Sequence, residues 1–274
     1  MSVGDDRVEF SFGWLALKLL GKSLYSNAWS AISELVANGF DAGAKCVYVY
    51  INVQQKANST IEIFDNGTGM TRGEINTYAK VGYNKREALR KKNVSDTDNI
   101  MGRKGIGKLA ALYLSETYYI LTKTTESHSD WQMVYTENAS NEEDRPFLKE
   151  LDGGVQDVRC RETWNTIETG TFLKLTNVNL SGLGSSAFDS LEHKLSNYFS
   201  LDSMSDKKIM LCVQRDQGPI EFQTVKKSVA FKNMAYIEYS TMNERSLMDK
   251  IHVAKDVLIN VPYPKIDEEY YEHK

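Results

Sequence analysis

The chain has 274 residues, of which 26% are charged and 41% are hydrophobic, and its net charge is −4. A chain of this length and composition can bury a substantial core, and its small net charge gives no global attraction to nucleic acid or to an anionic membrane. Its cysteines, Cys46, Cys160 and Cys212, lie far apart, which fits neither a zinc knuckle nor a disulfide framework, so we expect a reducing compartment.

The first segment of the chain, residues 1–22, begins with acidic residues and lacks the shape of a signal peptide. Its longest apolar run, residues 14–20, is interrupted by Lys18 and is too short to span a bilayer. We therefore expect a cytoplasmic protein with no membrane partner. Residues 1–22 are interpreted as a short helix or an N-terminal arm that packs on the domain following it.

A helix is predicted over residues 23–39. Ser23 or Ser26 is the expected N-cap, and Gly39 stands where we expect the helix to unwind. The apolar residues on one side of this helix are expected to face a core. They are Ile32, Leu35 and Val36.

Polar side chains follow one side of the same helix, because Glu34, Asn38 and Asp41 are spaced by four and then three residues. On a helix with about 3.6 residues per turn, this spacing places them on one stripe. A carboxylate can orient or deprotonate water, an amide oxygen can ligate Mg2+, and a second carboxylate can anchor polar ligand atoms. Taken alone, the stripe also fits an ordinary amphipathic helix with a solvated face.

Strands are predicted next, at residues 46–53 and 61–65, which are rich in β-branched and aromatic side chains. The second strand leads into residues 65–70, DNGTGM, whose glycines allow backbone to approach a ligand closely. Asp65 is an acceptor-only group that can bind the exocyclic amine of adenine and so exclude guanine. Met70 can pack on the face of a base. By itself, Asp-Asn-Gly is more typical of a plain turn.

A further helix is predicted to begin near Thr71 and to be interrupted at Gly82. Residues 85–92 then contain five basic side chains, and residues 93–99 are polar. The basic run fits a solvated helix face first, phosphate neutralisation second and nucleic acid last.

A glycine-rich loop, residues 102–108 (GRKGIGK), opens a predicted helix at Leu109. Free backbone N–H groups at such a helix start form an anion site. The loop also fits the start of a P-loop. That motif, however, needs Ser or Thr where this chain has Leu109. A P-loop also follows a strand directly, whereas the polar residues 93–99 precede this loop. We therefore reject the P-loop and predict a phosphate cradle, with Arg103, Lys104 and Lys108 as candidate partners of the phosphates.

The second half of the chain is predicted to be mainly strands, beginning with a hairpin formed by residues 117–124 and 130–137. Residues 138–161 are predicted to be an irregular acidic loop. Further elements are expected in this order: a strand at 172–178, a helix at 187–199, and strands at 206–214 and 220–229.

Four of these stretches, taken in order, resemble the motifs of the GHKL ATPases, the superfamily of gyrase, Hsp90-type chaperones, histidine kinases and MutL. The stretches are residues 34–44, 65–70, 102–108 and 169–171. The resemblance implies an α/β fold, the two-layer α+β sandwich known as the Bergerat ATP-binding fold, with a mixed β-sheet and helices on one face.

The same resemblance implies a division of the chain. Residues 23–180 would be the ATP-binding core, after the arm at 1–22. Residues 181–274 would be a C-terminal extension of the domain or the start of a transducer-like region, in a protein longer than this chain.

The resemblance also implies roles for individual residues. Glu34 would be the catalytic residue that activates water, and Asn38 would ligate Mg2+. Asp65 and Thr171 would hold the adenine of ATP, while Asn84 and Lys85 would lie in a lid that closes over the nucleotide. The predicted cofactor-binding residues are Asn38, Asp41, Asp65, Gly67, Gly69, Met70, Asn84, Lys85, Gly102, Arg103, Lys104, Gly105, Ile106, Gly107, Lys108 and Thr171.

These roles predict a slow, Mg2+-dependent ATPase whose lid closure and nucleotide-driven homodimerisation drive a switch in a larger protein, closest to the Hsp90, MutL and MORC branch. All four histidines lie after the first motif, which disfavours a self-contained histidine kinase. Two alternatives stay open: a nucleotide-binding scaffold or sensor that does not hydrolyse, and a DNA-associated clamp of the MutL or MORC type. The partner could be a client protein or a nucleic acid.

Overall fold

The computed structural model describes residues 14–81, 107, 109–135, 146–199 and 206–226, together with the backbone of 235–237 and 251–253. The chain divides into two compact units, Met1–Lys227 and Ser228–Lys274. In the first unit, the described helices are α1 Trp14–Leu24, α2 Ala28–Asp41, α3 Arg72–Ala79, α4 Leu109–Leu114, α5 Arg161–Asn165, α6 Ser185–Asp189 and α7 Leu191–Phe199. Its described strands are β1 Cys46–Asn52, β2 Ser59–Asp65, β3 Thr117–Lys123, β4 His128–Val134, β5 Phe147–Glu150, β6 Gly170–Val178, β7 Lys208–Gln214 and β8 Gln223–Thr224.

The strands of the first unit form one eight-stranded sheet in the order β5-β4-β3-β6-β2-β1-β7-β8. β1 and β7 are parallel, and the other neighbouring strands are antiparallel, so the sheet is mixed. The register pairs Phe64 of β2 with Phe172 of β6, and Thr171 of β6 with Thr122 of β3. This register brings the C-terminal end of β2 beside the beginning of β6.

Each face of the sheet carries its own core. Alternate residues of the central strands, such as Val49, Ile63 and Leu175, pack with α1, α2, α4, α6 and α7 in the larger core. The opposite face carries aromatic side chains, including Phe64 and Phe172, which pack on Trp164 of α5. The main helical layer therefore lies on one face, while residues 151–167 cover part of the other.

The start of α2 differs from the predicted helix. The chain forms α1, breaks at residues 25–27, and begins α2 at Ala28. Asn27 is the N-cap, since its side-chain oxygen accepts a hydrogen bond from the backbone N–H of Ser30 at 3.0 Å. The predicted caps Ser23 and Ser26 were therefore wrong.

The end of α2 also differs, because the helix continues through Gly39 to Asp41. An ideal Cβ atom at Gly39 would lie 2.9 Å from Cγ2 of Val47 and 3.0 Å from Cβ of Asp65. Gly39 therefore lets the helix pack directly against the strands, and the prediction that it ends the helix was wrong.

This close packing leads to a stability prediction with an internal control. Gly39→Ala should lower the free energy of unfolding by about 1–2 kcal/mol, because the strain of overpacking exceeds the helix-propensity gain. Gly73→Ala, in exposed α3, meets no atom within 4 Å and should raise stability by roughly 0.5 kcal/mol. Urea unfolding of both variants checks this, and an unchanged Gly39→Ala protein would contradict the packing.

Other predicted elements are confirmed or corrected by the described residues. The β3–β4 hairpin and α3 are confirmed, and Thr71 with Glu74 forms a capping box at the start of α3. The irregular loop predicted for 138–161 contains an edge strand, β5, and the helix predicted for 187–199 is instead the pair α6 and α7. Of the strand predicted for 220–229, only β8 is formed among residues 220–226, and 227–229 lie outside the described residues.

The second unit has an antiparallel strand pair in its described part, β9 Ala235–Ile237 with β10 Ile251–Val253. Across the described parts of the chain, we find no helix with the length and apolar character needed to cross a membrane.

Candidate functional site

The polar stripe of α2 forms as predicted. Ile32, Leu35 and Val36 are buried in the larger core, which turns the opposite side of the helix outward. On that side Glu34, Asn38 and Asp41 are half-buried. The stripe therefore presents two carboxylates and one amide along a single helix face.

The last glycine of the glycine-rich loop lies directly against this stripe. An ideal Cβ atom at Gly107 would lie 3.2 Å from Oδ1 of Asn38 and 3.3 Å from Oε2 of Glu34. A side chain at this position would crowd both polar groups. Gly107 thus brings backbone next to the stripe, 69 residues after Asn38 in the sequence.

The carboxylate of Glu34 has a second contact on its other oxygen. The hydroxyl of Tyr198, in α7, donates a hydrogen bond to Oε1 of Glu34 at 2.9 Å. Glu34 is therefore held between α7 and the end of the glycine-rich loop, with its two oxygens facing different elements.

Asp65 lies at the C-terminal end of β2 and is only 6% exposed. Its Oδ1 accepts hydrogen bonds from the backbone N–H groups of Gly67 at 2.8 Å and Thr171 at 3.4 Å. Burial raises the pKa of Asp65 to about 6, and the two N–H donors offset only part of that increase. A buried carboxylate with this little compensation is suited to a ligand that brings a hydrogen-bond donor.

The turn after Asp65 is fixed by contacts to β3 and β6. Gly69 has φ of +70°, and a Cβ atom there would overlap the carbonyl oxygen of Lys123, so the turn requires glycine. Thr169 donates to the carbonyl oxygen of Gly67 at 2.7 Å, and Thr122 accepts from the backbone N–H of Met70 at 2.7 Å. The turn therefore depends on residues distant in sequence.

The structure brings the predicted site residues into two adjoining groups. Glu34 and Asn38 meet Gly107, while Asp65, Gly67, Gly69, Met70 and Thr171 gather where β2 and β6 meet. The close approach of Gly39 to Asp65 places the second group beside the same helix. Asp41 is the last residue of α2. The remaining predicted residues lie outside the described part of the chain: Asn84, Lys85, Gly102, Arg103, Lys104, Gly105, Ile106 and Lys108.

Sequence reasoning missed two residues that contact this site, Tyr198 and Thr122. Tyr198 lay in a segment predicted only as a helix, and its contact with Glu34 joins residues 164 positions apart. Thr122 lay in a predicted strand with no motif around it. A strand register would have been the only signal for Thr122, because β3 and β6 pair it with Thr171.

The arrangement fits a nucleotide that carries a divalent cation. Without a side chain, Gly107 lets its backbone lie against the stripe, and the stripe supplies the oxygen donors that hard cations prefer. Asp65 supplies a buried acceptor at the other end of the same region. A polar ligand that donates a hydrogen bond to Asp65 would offset the free-energy cost of burying its carboxylate.

A comparison with protein families decides which class of protein this is. The family described as "Histidine kinase-, DNA gyrase B-, and HSP90-like ATPase" matches residues 25–159. Over these residues the chain belongs to this family, the GHKL superfamily. The mixed sheet with its helical layer is the fold that the resemblance implied, so both predictions are confirmed. The match includes three of the four motifs, and residues 169–171 lie beyond it.

Several known proteins are similar to part of this chain. A Herpetosiphon aurantiacus protein named "Putative type II restriction enzyme HgiDII" is 40% identical over 109 residues, which cover 39% of this chain and 17% of that protein. Heat shock protein 90 of Encephalitozoon cuniculi is 31% identical over a match that covers 48% of this chain and 22% of that protein. Chaperone protein HtpG of Ruthia magnifica is 32% identical over a match that covers 41% of this chain and 21% of that protein. The chain thus spans about a fifth of the length of these relatives.

Proposed function

We propose that this GHKL chain binds ATP and hydrolyses it slowly in the presence of Mg2+. The observation that carries the proposal is the meeting of Glu34 and Asn38 with the backbone of Gly107, at the end of the glycine-rich loop. In this proposal the carboxylate activates water, the amide oxygen holds the cation and the loop that ends near Gly107 binds phosphate. The HSP90-like relationship supports an ATPase at the level of the family.

Adenine binds at Asp65 in this proposal. At neutral pH the carboxylate is mainly ionised, since its pKa is about 6, and it accepts a hydrogen bond from the exocyclic amine of adenine. Thr171 supports Asp65 through its backbone N–H, and Met70 packs on the base. Guanine presents a carbonyl oxygen where adenine has the amine, so Asp65 repels it.

The phosphates bind between α2 and the glycine-rich loop. Asn38 would hold Mg2+ together with phosphate oxygens, with Asp41 anchoring polar atoms nearby; the bound cation supplies neutralisation of phosphate charge. Gly107 and the other residues of 102–108 contribute backbone N–H groups. Arg103, Lys104 and Lys108 are the proposed side-chain partners in that loop.

Glu34 acts on the attacking water. Its Oε2 faces Gly107 and therefore the proposed phosphate site, while its Oε1 is occupied by Tyr198. In this proposal Oε2 orients the water and accepts its proton as the water oxygen bonds to the γ-phosphorus and the bond from that phosphorus to the departing ADP oxygen breaks.

The larger consequence of this chemistry is a conformational switch. We place the ATP-binding core at residues 23–180, with a lid that includes Asn84 and Lys85 and opens when the γ-phosphate is lost. Lid closure would favour a homodimer, and the remaining residues, 181–274, would pass the change to the rest of a longer protein. We assign this activity to the cytoplasm.

Nucleotide binding and turnover by the purified chain test the proposal. We expect ATP to bind with Mg2+ present, GTP to bind at least tenfold more weakly, and phosphate release to stop when the metal is chelated. Absence of any adenine-nucleotide binding with Mg2+ present would overturn the proposal. Binding without turnover would instead support the scaffold or sensor alternative.

A DNA-associated clamp is a second candidate. The observation that favours it is the 40% identity to a protein whose name includes restriction enzyme. DNA affinity should then rise with ATP and fall steeply with salt. A chaperone role predicts client binding with no such dependence, so fluorescence anisotropy with duplex DNA, with and without nucleotide, separates the two.

A further inference from the structure

The structure assigns to Tyr198 the role of positioning residue for Glu34, so that α7 takes part in ATP hydrolysis although it lies outside residues 25–159. The inference rests on the proposed function of Glu34. The contact that carries it is the hydrogen bond from the Tyr198 hydroxyl to Oε1 of Glu34 at 2.9 Å.

The position of α7 is set by packing against α2. Leu191, Leu195 and Phe199 recur every four residues and are buried in the larger core. The ring of Phe199 packs edge-on against Phe40 of α2, with ring centroids 5.4 Å apart. Tyr198 immediately precedes Phe199 in α7, so its hydroxyl reaches the polar stripe of α2.

The hydrogen bond from Tyr198 gives the two carboxylate oxygens of Glu34 different roles. A hydrogen bond to a carboxylate is stronger than one between neutral groups, and it restricts rotation of the acceptor side chain. With Oε1 held by Tyr198, Oε2 faces Gly107. Partial burial, together with the adjacent carboxylate of Glu34, raises the pKa of Tyr198 to about 12, so the hydroxyl remains a donor at neutral pH.

The contact is better explained by positioning than by stability. Tyr198 is 52% exposed, so the loss of its hydroxyl oxygen leaves no buried cavity. Its ring contacts Phe199, and a phenylalanine at position 198 would keep that contact. What Tyr198→Phe removes is the hydrogen bond that orients the general base.

The test compares Tyr198→Phe with wild type and with Tyr119→Phe. Tyr119 lies on the opposite face of the sheet, so its variant loses a hydroxyl away from the site. We expect Tyr198→Phe to lower kcat about tenfold, equivalent to about 1.4 kcal/mol, with the Kd for ATP within about twofold of wild type. Tyr119→Phe should leave both values unchanged. Steady-state turnover and calorimetric ATP titrations supply the measurements.

The outcomes separate this inference from the proposed function. If wild type turns over ATP, Glu34→Gln does not, and Tyr198→Phe keeps wild-type kcat, the positioning role is overturned and the ATPase stands. A higher kcat in Tyr198→Phe would overturn it as well, since the bond would then restrain the base. If wild type shows no turnover, the proposed function fails and the positioning role fails with it.

Discussion

Glu34→Gln should bind ATP with nearly wild-type affinity and lower turnover by about 10²–10⁴-fold, the usual contribution of a general base. Glutamine has the same shape, and its amide oxygen can still accept the hydrogen bond from Tyr198. It cannot accept a proton from water at neutral pH. The variant therefore separates proton transfer from the shape of the site.

Single-turnover hydrolysis and equilibrium ATP titrations measure the two effects separately. Glu116→Gln is a suitable control, because Glu116 forms a half-buried ion pair with Lys18 and has no role in the proposed site. Its turnover should match wild type. A Glu34→Gln protein that retains more than about a tenth of wild-type turnover would show that Glu34 is not the base.

Asp65→Asn should weaken ATP binding by about 100-fold or more, equivalent to about 2.7 kcal/mol. The oxygen of asparagine can still accept from the backbone N–H of Gly67. Its amide nitrogen would meet the adenine amine donor to donor, so the variant loses the attraction and gains a repulsion. Because this nitrogen can donate to the carbonyl oxygen of guanine, the preference for ATP over GTP should also shrink.

The same variant should change how the stability of the nucleotide-free protein depends on pH. The folded pKa of Asp65, about 6, is raised above its ordinary value of 3.8. The folded state therefore binds the proton more tightly, and the stability contributed by this group is present below about pH 4 and lost as pH rises through 6. Between pH 4.5 and 7.5, the free energy of unfolding of wild type should therefore fall by about 2 kcal/mol relative to that of Asp65→Asn.

Urea unfolding at several pH values, without nucleotide, measures this difference. Asp189→Asn is the matched control for the loss of one carboxylate, since Asp189 is an exposed partner of Arg215 rather than a buried group. Curves for Asp65→Asn that run parallel to wild type would mean that Asp65 is not a buried, costly carboxylate. Retained ATP affinity would separately contradict its proposed contact with adenine.

Much of the architecture was predictable from local patterns. The spacing of Glu34, Asn38 and Asp41 predicts a stripe because a helix repeats at a nearly constant period, and the buried residues beside them confirm it. Strands β1 and β2 were recognisable as runs of β-branched and aromatic residues. Four motifs in order, at residues 34–44, 65–70, 102–108 and 169–171, carried the resemblance to the family, which the match to residues 25–159 confirms.

Errors arose where a long-range contact outweighed a local preference. Gly39 usually signals a helix end, yet here it remains inside α2 because the helix packs against Val47 and Asp65. The edge strand β5 was hidden in a polar segment, and pairing with β4 defines it. The break between α1 and α2 was missed because Ser23 or Ser26 was the predicted cap, whereas Asn27 is the N-cap.

The amino-acid sequence was sufficient for the family and for the polar groups along α2, because these depend on residue type and spacing within short stretches. The mixed sheet was implied by the resemblance to that family. Tertiary structure alone determined which groups meet: Thr171 with Asp65, Gly107 with Asn38, and Tyr198 with Glu34. The last contact joins residues 164 positions apart through the packing of α7 on α2. Such a contact depends on how elements pack, and no local periodicity encodes it.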